Sequence, residues 1–150
     1  MMDKIKKLRE KTGAGVMDVK KALDEAGGDM RKAEGVIAKK GLTKAAKKAE
    51  REVKSGLVYS YIHQTGKIGA MVEVACETDF VAQNEEFKEL CREVAMQVAS
   101  MNPKDVKELM SQVYIRDSSK KIADLVEGLV GKIGENMRIV RFSRFELGEK

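Results

Sequence analysis

A chain of 150 residues with 43% hydrophobic and 35% charged side chains has the composition of folded protein, not of a disordered segment. Its apolar runs fall short of a membrane span, and the opening Met1-Met2-Asp3-Lys4 carries no hydrophobic signal segment, so neither a membrane protein nor a secreted one is expected. The net charge of +5 is unevenly spread: residues 1–55 hold 16 Lys and Arg against 9 Asp and Glu, whereas residues 56–150 hold 13 against 15, so the first third suits an acidic partner or simply a well-solvated helical surface.

The first forty residues read as a small helical module, residues 1–41. Ile5, Leu8 and Arg9 begin a short helix that Thr12-Gly13-Ala14-Gly15 stops. Val16, Val19, Leu23 and Ala26 follow at helical spacing, Asp18 suits the N-terminal end of the helix dipole, and Gly27-Gly28 ends the helix. Asp29 caps a third helix with Ala33, Val36 and Ile37 on its inner side, and Gly41 stops it. Three short helices joined by glycine turns resemble a ubiquitin-associated bundle. Residues 42–55 are rich in helix formers and poor in large apolar side chains, which predicts a helical connector.

From Gly56 the period changes to two, and residues 56–150 read as an α+β core. Leu57–His63 and Ile68–Cys76 alternate as strands, with Gln64-Thr65-Gly66-Lys67 as the hairpin turn. A corner at Thr78-Asp79-Phe80-Val81 leads to Asn84-Glu85-Glu86 and a helical stripe of Phe87, Leu90, Cys91, Val94 and Val98. Pro103 breaks that helix and is placed to open a short one to about Met110. Ile122, Leu125, Val126, Leu129, Val130 and Ile133 form another stripe, in which Gly128, Gly131 and Gly134 read as permitting close helix packing. Arg138–Leu147 is a final strand. These elements predict a small antiparallel sheet with helices against one face.

Little in the chain points to bond-making chemistry. There is no Gly-x-x-x-x-Gly-Lys-Ser/Thr loop for nucleotide phosphates, His63 has no nucleophile to serve, and the acidic pair Glu85-Glu86 falls where a helix N-terminus favours negative charge. Cys76 and Cys91 read as reduced, small apolar side chains of a cytoplasmic protein, and a lone histidine without paired cysteines argues against a metal site. No aromatic interleaves with the lysines of residues 44–54, as a stacking platform for nucleic acid would require. The corner is the exception. In one reading Asp79 caps the following helix and Phe80 is its hydrophobic staple. In the other, the corner presents an acid and an apolar wedge to a partner.

Three motifs in order resemble the elongation factor Ts family, the guanine-nucleotide exchange factors of the translational GTPase elongation factor Tu. They are Leu8 to Leu23, the Glu77-Thr-Asp-Phe-Val81 corner, and Lys132-Ile-Gly-Glu-Asn136 before the final strand. The resemblance runs from about Ile5 to about Gly148. Ala75 and Gln83 depart from the usual pattern, and the chain lacks the second subdomain and coiled-coil excursion of longer members, and much of the insertion that compact members carry after Met101. The resemblance implies that Phe80 is a wedge near the Mg²⁺ site of the GTPase, that Asp79 is its hydrogen-bonding companion, and that Thr78 and Val81 shape the corner. It implies a second interface at Leu8, Arg9, Thr12, Gly13, Gly15, Val16 and Met17. Lys20, Lys21 and Leu23 also match there, Leu23 equally as core. Ile133, Gly134, Glu135 and Asn136 are expected to be mainly structural. The implied protein is no enzyme, binds no nucleotide itself, needs no cofactor and pairs with a second copy through its core sheet. The competing readings are a helical protein-binding module with a dimerisation core, and a basic ribosome- or RNA-associated protein.

Overall fold

A computed structural model describes residues 2–149, apart from the side chains at positions 44 and 45. The chain forms two compact units that divide between Arg51 and Glu52. The first consists of α1 (Met2–Thr12), α2 (Val16–Glu25), α3 (Met30–Lys39) and α4 (Lys44–Ala49). Leu8, Val19, Leu23, Ala33 and Ile37 meet in its small core. The spacing of four residues between Val19 and Leu23, and between Ala33 and Ile37, puts each pair on one side of its helix. Asp29 caps α3 by accepting from the amides of Arg31 and Lys32 at 2.9 and 3.1 Å. The Lys32 amide, and then that of Arg31, holds its carboxyl below the usual carboxylate range.

The segment expected to be a helical connector is helical only to Ala49. Thr43 starts that helix, its hydroxyl accepting from the Ala46 amide at 3.1 Å. Leu42 packs on the core of the first unit, and Lys47 pairs with Asp18 of α2 at 3.0 Å. Beyond Glu50 no run of apolar side chains at helical spacing is present to hold a longer helix, and short helices do not persist on propensity alone.

The second unit carries β1 (Ser55–Ile62), β2 (Ile68–Cys76), α5 (Asp79–Ala82), α6 (Glu85–Met101), α7 (Val106–Ser111), α8 (Ile122–Ile133) and β3 (Met137–Glu146). Among the described residues the sheet has three antiparallel strands in the order β1-β2-β3. Val72 and Val74 of β2 meet Phe87, Val94 and Val98 of α6 in an apolar core that Leu109 and Ile122 complete. This is the α+β layer expected from the change of period at Gly56. The pairing of β2 with β3 shifts register between Glu73 and Val74, where Val140 and Arg141 are consecutive exposed residues. The extra residue changes the phase of β3. Ile139 and Phe142 therefore both pack toward the core, although simple alternation would put them on opposite faces.

Two expectations for the helices need correction. Pro103 does not open α7: it is buried three residues earlier, and Asp105 is the cap, accepting from the Glu108 amide at 2.8 Å. A carboxylate satisfies an orphan helical donor, which a proline cannot do. Gly128, Gly131 and Gly134 do not permit close helix packing either, because a Cβ built at each meets nothing within 4 Å, and Gly134 is the left-handed residue that ends α8. The buried side of α6 also carries two polar residues that the periodicity concealed. Glu93 accepts from the Tyr114 hydroxyl and the Arg116 guanidinium, both at 2.5 Å. Gln97 donates to the Val113 carbonyl at 3.0 Å and accepts from the Ile115 amide at 3.1 Å. Together they fix the irregular segment before α8 by giving its polar groups partners. Burial, and then the bond to Glu93, push the Tyr114 hydroxyl up to about 12.

Candidate functional site

The corner after β2 brings an acid and an aromatic to the surface side by side. Thr78 has extended backbone angles and is the cap of α5, its hydroxyl accepting from the Val81 amide at 3.3 Å. Val81 and Ala82 are buried in the core, which fixes one side of this short helix. Successive helical residues point about 100° apart, so burying Val81 and Ala82 turns Phe80 outward. Phe80 is 85% exposed. It therefore is not a staple, and Asp79 is not the cap. The first of the two readings of the corner fails because Thr78 takes the capping role and leaves both neighbours free to face outward. Instead, Asp79 accepts a hydrogen bond from the Ser55 hydroxyl at the start of β1.

A second set of contacts comes from the far end of the chain. The Glu135 carboxylate accepts from the amides of Glu77 and Thr78, both at 3.1 Å, and from the Thr78 hydroxyl at 2.8 Å. Glu77 returns the contact, accepting from the Asn136 amide at 2.5 Å. The corner is thus tied to the turn between α8 and β3 by two exchanged carboxylates. Burial, and then the Glu135 charge, push the nearby Cys76 thiol up from its ordinary value. Cys91 is pushed up to about 12, chiefly by burial, so both thiols stay protonated at neutral pH.

Sequence reasoning missed Ser55, gave Glu77 no role of its own within the corner motif, and took Glu135 only as part of a turn. Gly134, at φ +91°, does end α8, and the buried Asn136 does lead into β3. No local signal marks the added role of Glu135, because its partners lie 57 and 58 residues away in sequence.

In the N-terminal unit the seven expected interface residues separate into two groups. Leu8 is fully buried and holds the bundle together, which corrects its expected place at an interface, and Leu23 is core as well. Large apolar side chains at the centre of so small a bundle have too many partners to be spared for a surface. The Thr12 hydroxyl is occupied by the loop, donating to the Leu8 carbonyl at 2.6 Å and accepting from the Ala14 amide at 3.2 Å. Gly15 precedes α2 as its cap residue. Arg9, Gly13 and Val16 line a shallow groove with Met2 and Ile5, and Met17 beside it is exposed. Among the described residues no group of His, Cys, Asp and Glu is placed to hold a metal ion, and no helix is long and apolar enough to cross a membrane.

Comparison with known proteins gives one consistent result. The family profile described as Elongation factor TS matches residues 77–150, beginning at the corner itself. The elongation factor Ts of Thermotoga petrophila is 44% identical over 191 aligned positions, covering 99% of this chain and 96% of that protein. Those of Anaeromyxobacter dehalogenans strain 2CP-1 and Thermoanaerobacter sp. strain X514 are 45% and 43% identical over 190 positions, each covering 97% of this chain and respectively 87% and 93% of the relative. These alignments are longer than the 150-residue chain, so the relatives carry residues that it lacks. With identity at this level over nearly its whole length, and with the corner, the preceding strand and the following turn assembled as one site, the chain belongs to the elongation factor Ts family of translation elongation factors.

Proposed function

We propose that this protein is a guanine-nucleotide exchange factor that promotes GDP release from elongation factor Tu, with Asp79 and Phe80 as its working element. The observation that carries the reading is the exposure of Phe80 on a corner whose backbone is tied down on both sides. An exchange factor breaks no bond. It binds the nucleotide-poor state of its partner better than the GDP-bound state, and by linkage GDP weakens its binding by the same ratio. A GTPase holds its nucleotide through phosphate-cradling amides and Mg²⁺. An apolar wedge that displaces the segments carrying those groups weakens the strongest contacts first. A pre-set corner suits this work, because little ordering is needed on binding. Stopped-flow release of a fluorescent GDP from elongation factor Tu tests the proposal. Acceleration by substoichiometric amounts of this protein is expected. Complex formation without acceleration would favour a plain binding module, and affinity for RNA falling steeply with salt would favour a nucleic-acid protein. The buried, protonated thiols suit action in the cytoplasm, where translation takes place.

The N-terminal unit is the second proposed contact, through Arg9, Gly13, Val16 and Met17. Removal of residues 1–51 is expected to weaken binding to elongation factor Tu at least tenfold, on the scale of losing one good anchor, about 1.4 kcal/mol. The melting transition of the remaining unit should stay cooperative. Isothermal titration with the shortened chain is the check, and an unchanged dissociation constant would remove the gripping role.

We also propose self-association through the sheet. Its outer face exposes Val58, Ile62, Met71 and Phe145, apolar side chains that an open sheet face normally covers. Both cysteines are buried in the core, away from this face, so the pairing should be indifferent to reductant and dependent on concentration. Sedimentation at micromolar concentration should give a dimer, and a clean monomer with full exchange activity would assign this face to the GTPase.

A further inference from the structure

We infer that Glu135 is a positioning residue for the exchange corner: its carboxylate, returned by the turn between α8 and β3, sets the direction in which α5 presents Asp79 and Phe80. The inference rests on the reading of that corner as the exchange element. Its first ground is the hydroxyl of Thr78. A hydroxyl has one proton to donate. Thr78 gives it to Glu135 at 2.8 Å, which leaves the oxygen lone pairs directed at the Val81 amide 3.3 Å away. The cap of α5 is therefore oriented by Glu135. The second ground is the length of α5, which spans only Asp79–Ala82. One turn of helix has no stability of its own. Its direction depends on the cap at one end and on the burial of Val81 and Ala82 at the other.

The third ground is that Glu135 also takes the Glu77 and Thr78 amides, so a single carboxylate holds three donors of the corner, in charge-assisted bonds stronger than neutral ones. Ending α8 does not require it. Gly134 already does that, its own amide bonding the Val130 carbonyl at 2.9 Å. Glu135 is half-buried at the surface and stands outside the apolar core that stabilises the unit.

The test measures GDP release from elongation factor Tu with the full chain as wild type, Glu135→Ala, Glu135→Gln, Phe80→Ala and the Phe80→Ala/Glu135→Ala double variant. Glu135→Ala is expected to lower the release rate at saturation about tenfold, with little change in the concentration giving half-saturation. Glu135→Gln should fall between, since its amide oxygen still accepts from the two backbone amides while its NH2 group cannot accept the Thr78 proton. In the Phe80→Ala background the Glu135→Ala change should add less than about twofold, because the residue acts through the corner. Amide hydrogen exchange of the same variants should speed up at Val81 in Glu135→Ala and stay unchanged in β2 and α6.

Wild-type release by Glu135→Ala beside a slowed Phe80→Ala would overturn the inference, as would an undiminished tenfold effect in the double variant. Should Phe80→Ala itself release GDP at the wild-type rate, the wedge reading fails separately. Unchanged protection of the Val81 amide in Glu135→Ala would then overturn the positioning role without reference to exchange.

Discussion

Phe80→Ala is expected to slow catalysed GDP release about thirtyfold or more, with the melting of the second unit unchanged. The magnitude follows from the usual cost of truncating a central aromatic anchor, roughly 2 kcal/mol. The separation of activity from stability follows from position. Phe80 is 85% exposed, so its removal opens no cavity and takes no contact from the core. The corner keeps its shape, because the Thr78 cap and the Glu135 bonds do not involve the ring. Stopped-flow release with the variant, beside a thermal melt, decides the matter. A variant that releases GDP at the wild-type rate would end the wedge role. A fall in the melting midpoint would mean that the ring packs in solution against something that supports the fold.

Gly56→Ala is expected to destabilise the second unit by about 3 kcal/mol, or roughly 15 °C in its melting midpoint, combining left-handed backbone strain with overpacking. Gly56 has φ +144° and pairs with Ala75 across the β1–β2 ladder. A Cβ there would lie 2.1 Å from the Val74 carbonyl oxygen and 2.8 Å from the Ala75 Cα. Both are backbone atoms of the central strand, so neither can rotate away. The strands must part, and Ser55, which holds Asp79, would move with β1. Exchange activity should therefore fall along with stability. Gly128→Ala is the matched control: in open space in the interior of α8, it should stabilise by up to about 1 kcal/mol. Thermal unfolding of the two variants separates the cases. A Gly56→Ala protein that melts like wild type would show that β1 need not approach β2 so closely.

The contrast between these two glycines marks the division between what the sequence by itself determined and what only the tertiary structure decided. Helix limits at Gly13–Gly15, Gly27-Gly28 and Gly41, the Asp29 cap, the alternation of β2 and the stripe on α6 were all legible. Each depends on interactions within about four residues, the reach of a helical hydrogen bond or a cap. The corner itself was legible too, as a break in alternation before a helical stripe. Its two readings could not be separated locally, because the choice rested on which residue took the cap and which side chains the core claimed. Thr78 took the cap with Glu135 as its partner, 57 residues on, and Ser55, 24 residues back, claimed Asp79. The phase of β3 was hidden for the same reason. The extra residue at Val140 is visible only against the register of β2. Local pattern fixes which elements form. The donors and acceptors left over at their ends find partners only when distant segments return, and in this chain those leftover groups are what aim Asp79 and Phe80.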